Sequence, residues 1–130
     1  MTARQEALDT RALVLVADDN TDHAEFIRQA LWSRYRVVIA SNGADAYALA
    51  CRLHPAAILL DVMMPVLDGH SVVRKLRANP ETARMPVVYV TALDTKSVDA
   101  HADEPSVILR KPCHRGEILD AIKKVLGASP

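Results

Sequence analysis

Five short blocks of consecutive apolar residues punctuate the chain: 12–17 (ALVLVA), 37–40 (VVIA), 57–60 (AILL), 87–90 (VVYV) and 107–109 (VIL). Runs of this length, rich in β-branched residues and without polar alternation, predict strands buried on both faces. Between them the period lengthens. Residues 22–33 place Ile27, Ala30 and Leu31 at helical spacing, residues 116–126 do the same with Ile118, Ile122 and Val125, and residues 44–53 and 71–78 complete the set of helices. Strand alternating with helix selects parallel pairing through right-handed crossovers, hence an α/β fold with an open sheet covered by helices on both faces, a doubly wound sandwich.

Turn residues fall where these elements should end. Ser41-Asn42-Gly43 leads into the second helix, His54-Pro55 closes it, Asp68-Gly69 opens the third and Gly127 stops the last. Residues 94–105 form the weak stretch, because Val98 is their only large apolar side chain. A short, mobile fourth helix is expected there.

A length of 130 residues fits one core, with 50% hydrophobic and 25% charged residues arguing against extended disorder. The expected division is an N-terminal extension over 1–11, the domain over 12–127 and a tail over 128–130. Lys plus Arg and Asp plus Glu each number 16, for a formal net charge of +0, so no bulk field favours nucleic acid or an anionic membrane. Phe26, Trp32, Tyr35, Tyr47 and Tyr89 form no basic-aromatic stripe either. Residues 1–11 carry Arg4, Glu6, Asp9 and Arg11 and lack a signal-peptide core, and no apolar run approaches the roughly 20 residues of a membrane span. Cys51 and Cys113 show neither a CxxC nor a Cys/His spacing, which fits a reducing compartment. A cytoplasmic location follows as the expectation, without direct contact to membrane or nucleic acid.

In an open parallel sheet, function gathers outside the carboxyl ends of the strands. Strand one ends in Asp18-Asp19, strand three in Asp61, strand four in Thr91 and strand five in Lys111-Pro112. Converging carboxylates repel one another unless a cation joins them, and hard oxygen ligands suit Mg²⁺. A carboxylate also attacks phosphorus when positive charge offsets that of the transferring group, a task for Mg²⁺ and Lys111. The Thr91 hydroxyl and the amides after Asp61 are candidate donors to the phosphoryl oxygens. Each residue has a blander reading: Asp18-Asp19 as helix-capping acids beside Asn20 and Thr21, Thr91 as a β-branched strand end, Lys111 as a surface charge. Their conjunction at matching strand ends favours the chemical one.

Asp18-Asp19-Asn20, Asp61 followed by Val62-Met63-Met64-Pro65 and Asp68-Gly69, then Thr91-Ala92 and Lys111-Pro112, resemble in order the motifs of bacterial response-regulator receiver domains, over residues 12 to about 126. The resemblance implies a flavodoxin-like, CheY-like (βα)5 sheet of strand order 2-1-3-4-5. It implies a phosphoacceptor at Asp61, Mg²⁺ ligands at Asp18, Asp19, Asp61 and the Met63 carbonyl, and switch roles for Thr91 and Lys111. Its implied donor is a sensor histidine kinase or a histidine phosphotransfer protein, within a two-component system or phosphorelay. The chain would be a signalling receiver whose own chemistry is limited to taking up and hydrolysing the phosphoryl group. Its output would be a changed surface, read by a downstream protein or an effector domain absent from these 130 residues, and a homodimer is compatible with it.

Receivers usually carry an aromatic residue three positions before the switch lysine, and here that position is Ile108, stiff at χ1 and without a polar tip. Tyr89, on another strand, reads as core. Ile108 therefore motivates an alternative, a constitutive interaction scaffold with impaired switching. Met63 and Leu93, two residues past Asp61 and Thr91, cannot hydrogen-bond an attacking water, so slow hydrolysis of the phosphoryl group is expected. A nucleotide or flavin binder needs a phosphate-accepting loop where Asp18-Asp19 stands, and an Asp-nucleophile phosphatase needs a second acid where Met63 stands. His23, His54, His70, His101 and His114 lack metal-site spacing and read as surface residues.

Overall fold

In the computed structural model, which describes residues 9–92 and 106–127, each apolar block forms a parallel strand. The elements are β1 (Leu13–Ala17), α1 (Thr21–Leu31), β2 (Arg36–Ala40), α2 (Gly43–Leu53), β3 (Ala57–Leu60), α3 (Gly69–Ala78), β4 (Val87–Thr91), β5 (Ser106–Arg110) and α4 (Arg115–Gly127). The strands run in the order β2-β1-β3-β4-β5, all parallel, as expected for a flavodoxin-like, CheY-like sheet. The helix expected over 94–105 lies outside the described residues.

Alternation along each strand splits the apolar blocks between two cores. Leu15 and Ala17 pack with Ala46 and Ala50 of α2 and Val72, Val73 and Leu76 of α3, whereas Val14 and Val16 pack with Ile27 and Leu31 of α1 and Ile118 and Ile122 of α4. A continuous apolar block is thus the sum of two alternating faces, each covered by helices. Each buried Val, Leu or Ile contributes roughly 1.5–3 kcal/mol relative to exposure.

β2 departs from the expectation of full burial: Val37 and Val38 are half-buried and Ile39 is exposed. It is the strand at one edge of the sheet and, among the described residues, pairs with β1 alone. Order within a sheet is not written in the apolarity of a single block, so its edge position could not be read from residues 37–40.

The three helices that follow β1, β2 and the Asp61 loop each start at a side-chain cap. Asn20 accepts from the His23 amide at 3.0 Å, Asn42 from the Asp45 amide at 2.8 Å and Asp68 from the Ser71 amide at 2.8 Å. Each satisfies one of the orphan amides of the first turn. α2 ends on His54, whose N–H donates to the Ala50 carbonyl at 3.0 Å and whose left-handed backbone (φ 46°) turns the chain out of the helix. At Gly69 the chain runs so close to the end of β3 that a Cβ would lie 2.7 Å from the Asp61 carbonyl oxygen and 2.7 Å from the Val62 Cα. Only glycine allows α3 to start against that backbone.

The Ser71 amide, first among several causes, holds the Asp68 carboxyl below its ordinary value. A depressed folded-state pKa contributes stability above the unfolded value that is lost as pH falls through the folded one. Asp68→Ala is therefore expected to cost about 1 kcal/mol in urea unfolding at neutral pH, with the difference from wild type shrinking under acid conditions. An undiminished difference in acid would show that the cap acts without its charge.

Candidate functional site

Ala17 and Leu60 stand in register on neighbouring strands, so Asp18 and Asp61 leave the sheet level with one another. The ladder continues past the strand ends, with the Asp61 amide donating to the Ala17 carbonyl at 2.9 Å and the Asp18 amide to that of Ala40 at 3.0 Å. Both backbones are thereby fixed where their side chains begin. Thr91 closes β4 fully buried, and its carbonyl accepts from the Lys111 amide at 2.8 Å, which sets the start of the Lys111 side chain.

Adjacent strands lie about 4.8 Å apart, and β4 separates β5 from β3. Only a long side chain spans that gap. The Lys111 ammonium crosses the end of β4 to donate to Asp61 Oδ2 at 2.8 Å and to Asp18 Oδ2 at 3.3 Å. Asp61 Oδ1 accepts from the Met63 amide at 3.0 Å, which brings the Met63 main chain beside it. Asp18 Oδ1 accepts from the Asn20 amide at 2.9 Å.

Asp18 and Asp61 are buried and Asp19 is exposed, and one oxygen from each of the three lies within 4.8 Å of the others. The cap of α1 falls to Asn20, so neither Asp18 nor Asp19 serves as its N-cap. Three hard oxygen donors at this spacing, open to water at Asp19, fit a small divalent cation that keeps part of its hydration shell. The residues present suit Mg²⁺.

Burial raises the Asp61 carboxyl above its ordinary value, opposed by the Lys111 ammonium and the Met63 amide and reinforced by the charge of Asp18. Burial pulls the other way on Lys111, but the hydrogen bond and charge of Asp61, joined by Asp18, outweigh it and leave the ammonium above its ordinary value. The asymmetry follows from depth, since the Lys111 side chain keeps 22% of its surface exposed and that of Asp61 only 7%.

The loop after β3 turns sharply at Val66, which has φ 71° and is bridged by the Leu67 amide donating to the Pro65 carbonyl at 2.8 Å. A β-branched residue in that region is strained. Val62, Met63, Met64, Pro65, Asp68, His70 and Asp19 line a cavity of about 550 Å³ beside the acids.

The structure brings Asp18, Asp19, Asp61, Met63, Thr91 and Lys111 to one end of the sheet. Ile108 stands apart, half-buried on β5 in register with Tyr89 and packed against the core that Tyr89 joins. Tyr89 is fully buried, as expected of a core residue. Cys51 and Cys113 are both free thiols.

The reading of every histidine as a surface residue needs correction at two positions, while His101 lies outside the described residues. His70 is half-buried, its ring centroid 5.9 Å from that of Tyr89, and His23 is half-buried with Nδ1 2.5 Å from Asp18 Oδ2. Metal-site spacing was the wrong signal to seek. The available one was position: the third residue of a helix that starts two residues after an acidic strand end faces back toward that end.

The model of the response regulator receiver domain family matches residues 14–123. Response regulator PleD of Caulobacter vibrioides is 45% identical over 84 residues, covering 64% of this chain and 18% of PleD. Response regulator MprA of Mycobacterium leprae is 36% identical over 119 residues, covering 87% of this chain and 50% of MprA. The chain thus spans half or less of the length of these relatives. Among solved structures, the receiver domain of sensor histidine kinase PA1611 from Pseudomonas aeruginosa PAO1, which has a magnesium ion coordinated in its active-site cleft, superposes with a TM-score of 0.83 at 30% identity, over 91% of this chain and 99% of that one.

A raised folded-state pKa gives stability at low pH that is lost as pH rises through it, so an ionised Asp61 costs stability at neutral pH. Asp61→Asn should raise the urea midpoint of the protein at neutral pH in the presence of a chelator, and the gain should fade on acidification. A lowered midpoint would mean that the lost pairing with Lys111 outweighs the relief of burial.

Proposed function

This chain belongs to the response regulator receiver domain family of two-component signalling, and on that premise we propose that it accepts a phosphoryl group on Asp61 from a phosphohistidine donor. The observation that carries this reading is the Lys111 ammonium, held between the buried Asp61 and Asp18 carboxylates, which cluster with that of Asp19 within 4.8 Å. Asp18, Asp19, Asp61 and the Met63 carbonyl would hold Mg²⁺, which when bound supplies positive charge against the phosphoryl oxygens.

An Asp61 carboxylate oxygen attacks phosphorus, forming an O–P bond as the P–N bond to the donor imidazole breaks, and the departing ring nitrogen takes up a proton. Lys111 shifts its ammonium from the carboxylate to the charge arriving on the phosphoryl group, and the Thr91 hydroxyl donates to one phosphoryl oxygen. Hydrolysis of the acyl phosphate returns Asp61 and inorganic phosphate. The donor is a sensor histidine kinase or a histidine phosphotransfer protein, and the setting is cytoplasmic. No helix among the described residues is long and apolar enough to cross a membrane.

A second reading, a constitutive scaffold for partner binding, is favoured by Ile108, which packs against the core beside Tyr89 where receivers usually place a movable aromatic ring. The two readings separate on phosphorylation. With acetyl phosphate, intact-mass measurement should find one phosphoryl increment in the wild type that requires Mg²⁺ and is absent from Asp61→Asn. No adduct even with a cognate kinase would favour the scaffold.

The exposed Met63 side chain, beside Asp61 and without a hydrogen-bond donor, supports a long-lived phosphoryl group, while Leu93 lies outside the described residues. After removal of the phosphodonor, the adduct should decay slowly, and replacing Met63 with Asn should shorten its half-life. Rapid decay of the wild-type adduct would overturn this expectation.

A further inference from the structure

His23 is placed by three contacts that arise from different parts of the chain. Its amide donates to the Asn20 cap at 3.0 Å, its ring lies alongside Phe26 with centroids 6.4 Å apart and planes 24° from parallel, and Nδ1 meets Asp18 Oδ2 at 2.5 Å. Asp18 is almost wholly buried, and among the described residues its carboxylate has three donors: the Asn20 amide on Oδ1, and His23 and Lys111 on Oδ2. These donors differ in how they tolerate a nearby dication. The Lys111 ammonium is repelled by it, whereas an imidazole can donate through Nδ1–H without a net charge of its own. His23 is therefore the side-chain donor suited to stay on Asp18 when the cluster of Asp18, Asp19 and Asp61 holds a cation.

We infer that His23 is a positioning residue of the cation site, its Nδ1–H holding the buried Asp18 carboxylate turned toward the cluster shared with Asp19 and Asp61, and so raising the affinity for Mg²⁺. This rests on the metal-binding reading given above. Hydrogen-bonding partners of ligand side chains commonly account for 10–100-fold in metal affinity. Asparagine provides the control, since its side-chain N–H stands as many bonds from the backbone as Nδ1 does.

The test is calorimetric titration of MgCl₂ into the full chain, wild type, His23→Ala and His23→Asn, with melting curves taken in chelator to show that all three are folded. The expected result is a Kd about tenfold weaker for His23→Ala, largely recovered in His23→Asn, with similar melting midpoints. Unchanged or tighter binding by a folded His23→Ala, or a Kd in His23→Asn as weak as in His23→Ala, would overturn the inference while leaving the metal site standing. Absence of any Mg²⁺ binding by the wild type would overturn the metal reading and this inference with it.

Discussion

Two carboxylates buried side by side at the ends of neighbouring strands set the constraint to which the rest of this molecule answers. Left alone, Asp18 and Asp61 would repel across a poorly hydrated gap, and burial already raises the Asp61 carboxyl above its ordinary value. The Lys111 ammonium, 2.8 Å from one and 3.3 Å from the other, makes their coexistence tolerable. That compensation needs β5 to lie beside β4 and β4 beside β3, so that a single lysine reaches across one strand end. Sheet order and charge balance are thus one requirement. The compensation is also incomplete, which leaves room for a second cation and makes a proton on Asp61 less unfavourable than on an ordinary surface acid.

Much of this was legible in the residues because a parallel α/β sheet concentrates its chemistry at the carboxyl ends of its strands. Asp18, Asp61, Thr91 and Lys111 each follow an apolar block, and once the blocks are taken as parallel strands the four must meet. Helix starts were legible where a capping residue stands before the apolar period, although α3 begins at Gly69, two residues before the expected 71, because Asp68 caps the turn that precedes the first apolar position. Other features are decided by tertiary neighbours and leave no trace in local sequence. The half-exposure of β2 comes from its place at the sheet edge. The contact between His23 and Asp18, by contrast, is marked in the sequence only by the place of His23 in the first turn after Asp18-Asp19, since it depends on how α1 leaves β1.

Every strand pairing in this sheet is distant along the chain. Val14 lies opposite Val37 on one side and Ala57 on the other, and Lys111 reaches Asp18 across a sequence separation of 93. Such contacts close large loops, form late and make folding slow relative to helical bundles. The acidic site therefore has no partial version: a nascent or half-folded chain has the carboxylates without the lysine that reconciles them. The site exists only in the completed sheet, because a chain that has not yet docked β5 presents Asp18 and Asp61 without their counter-charge.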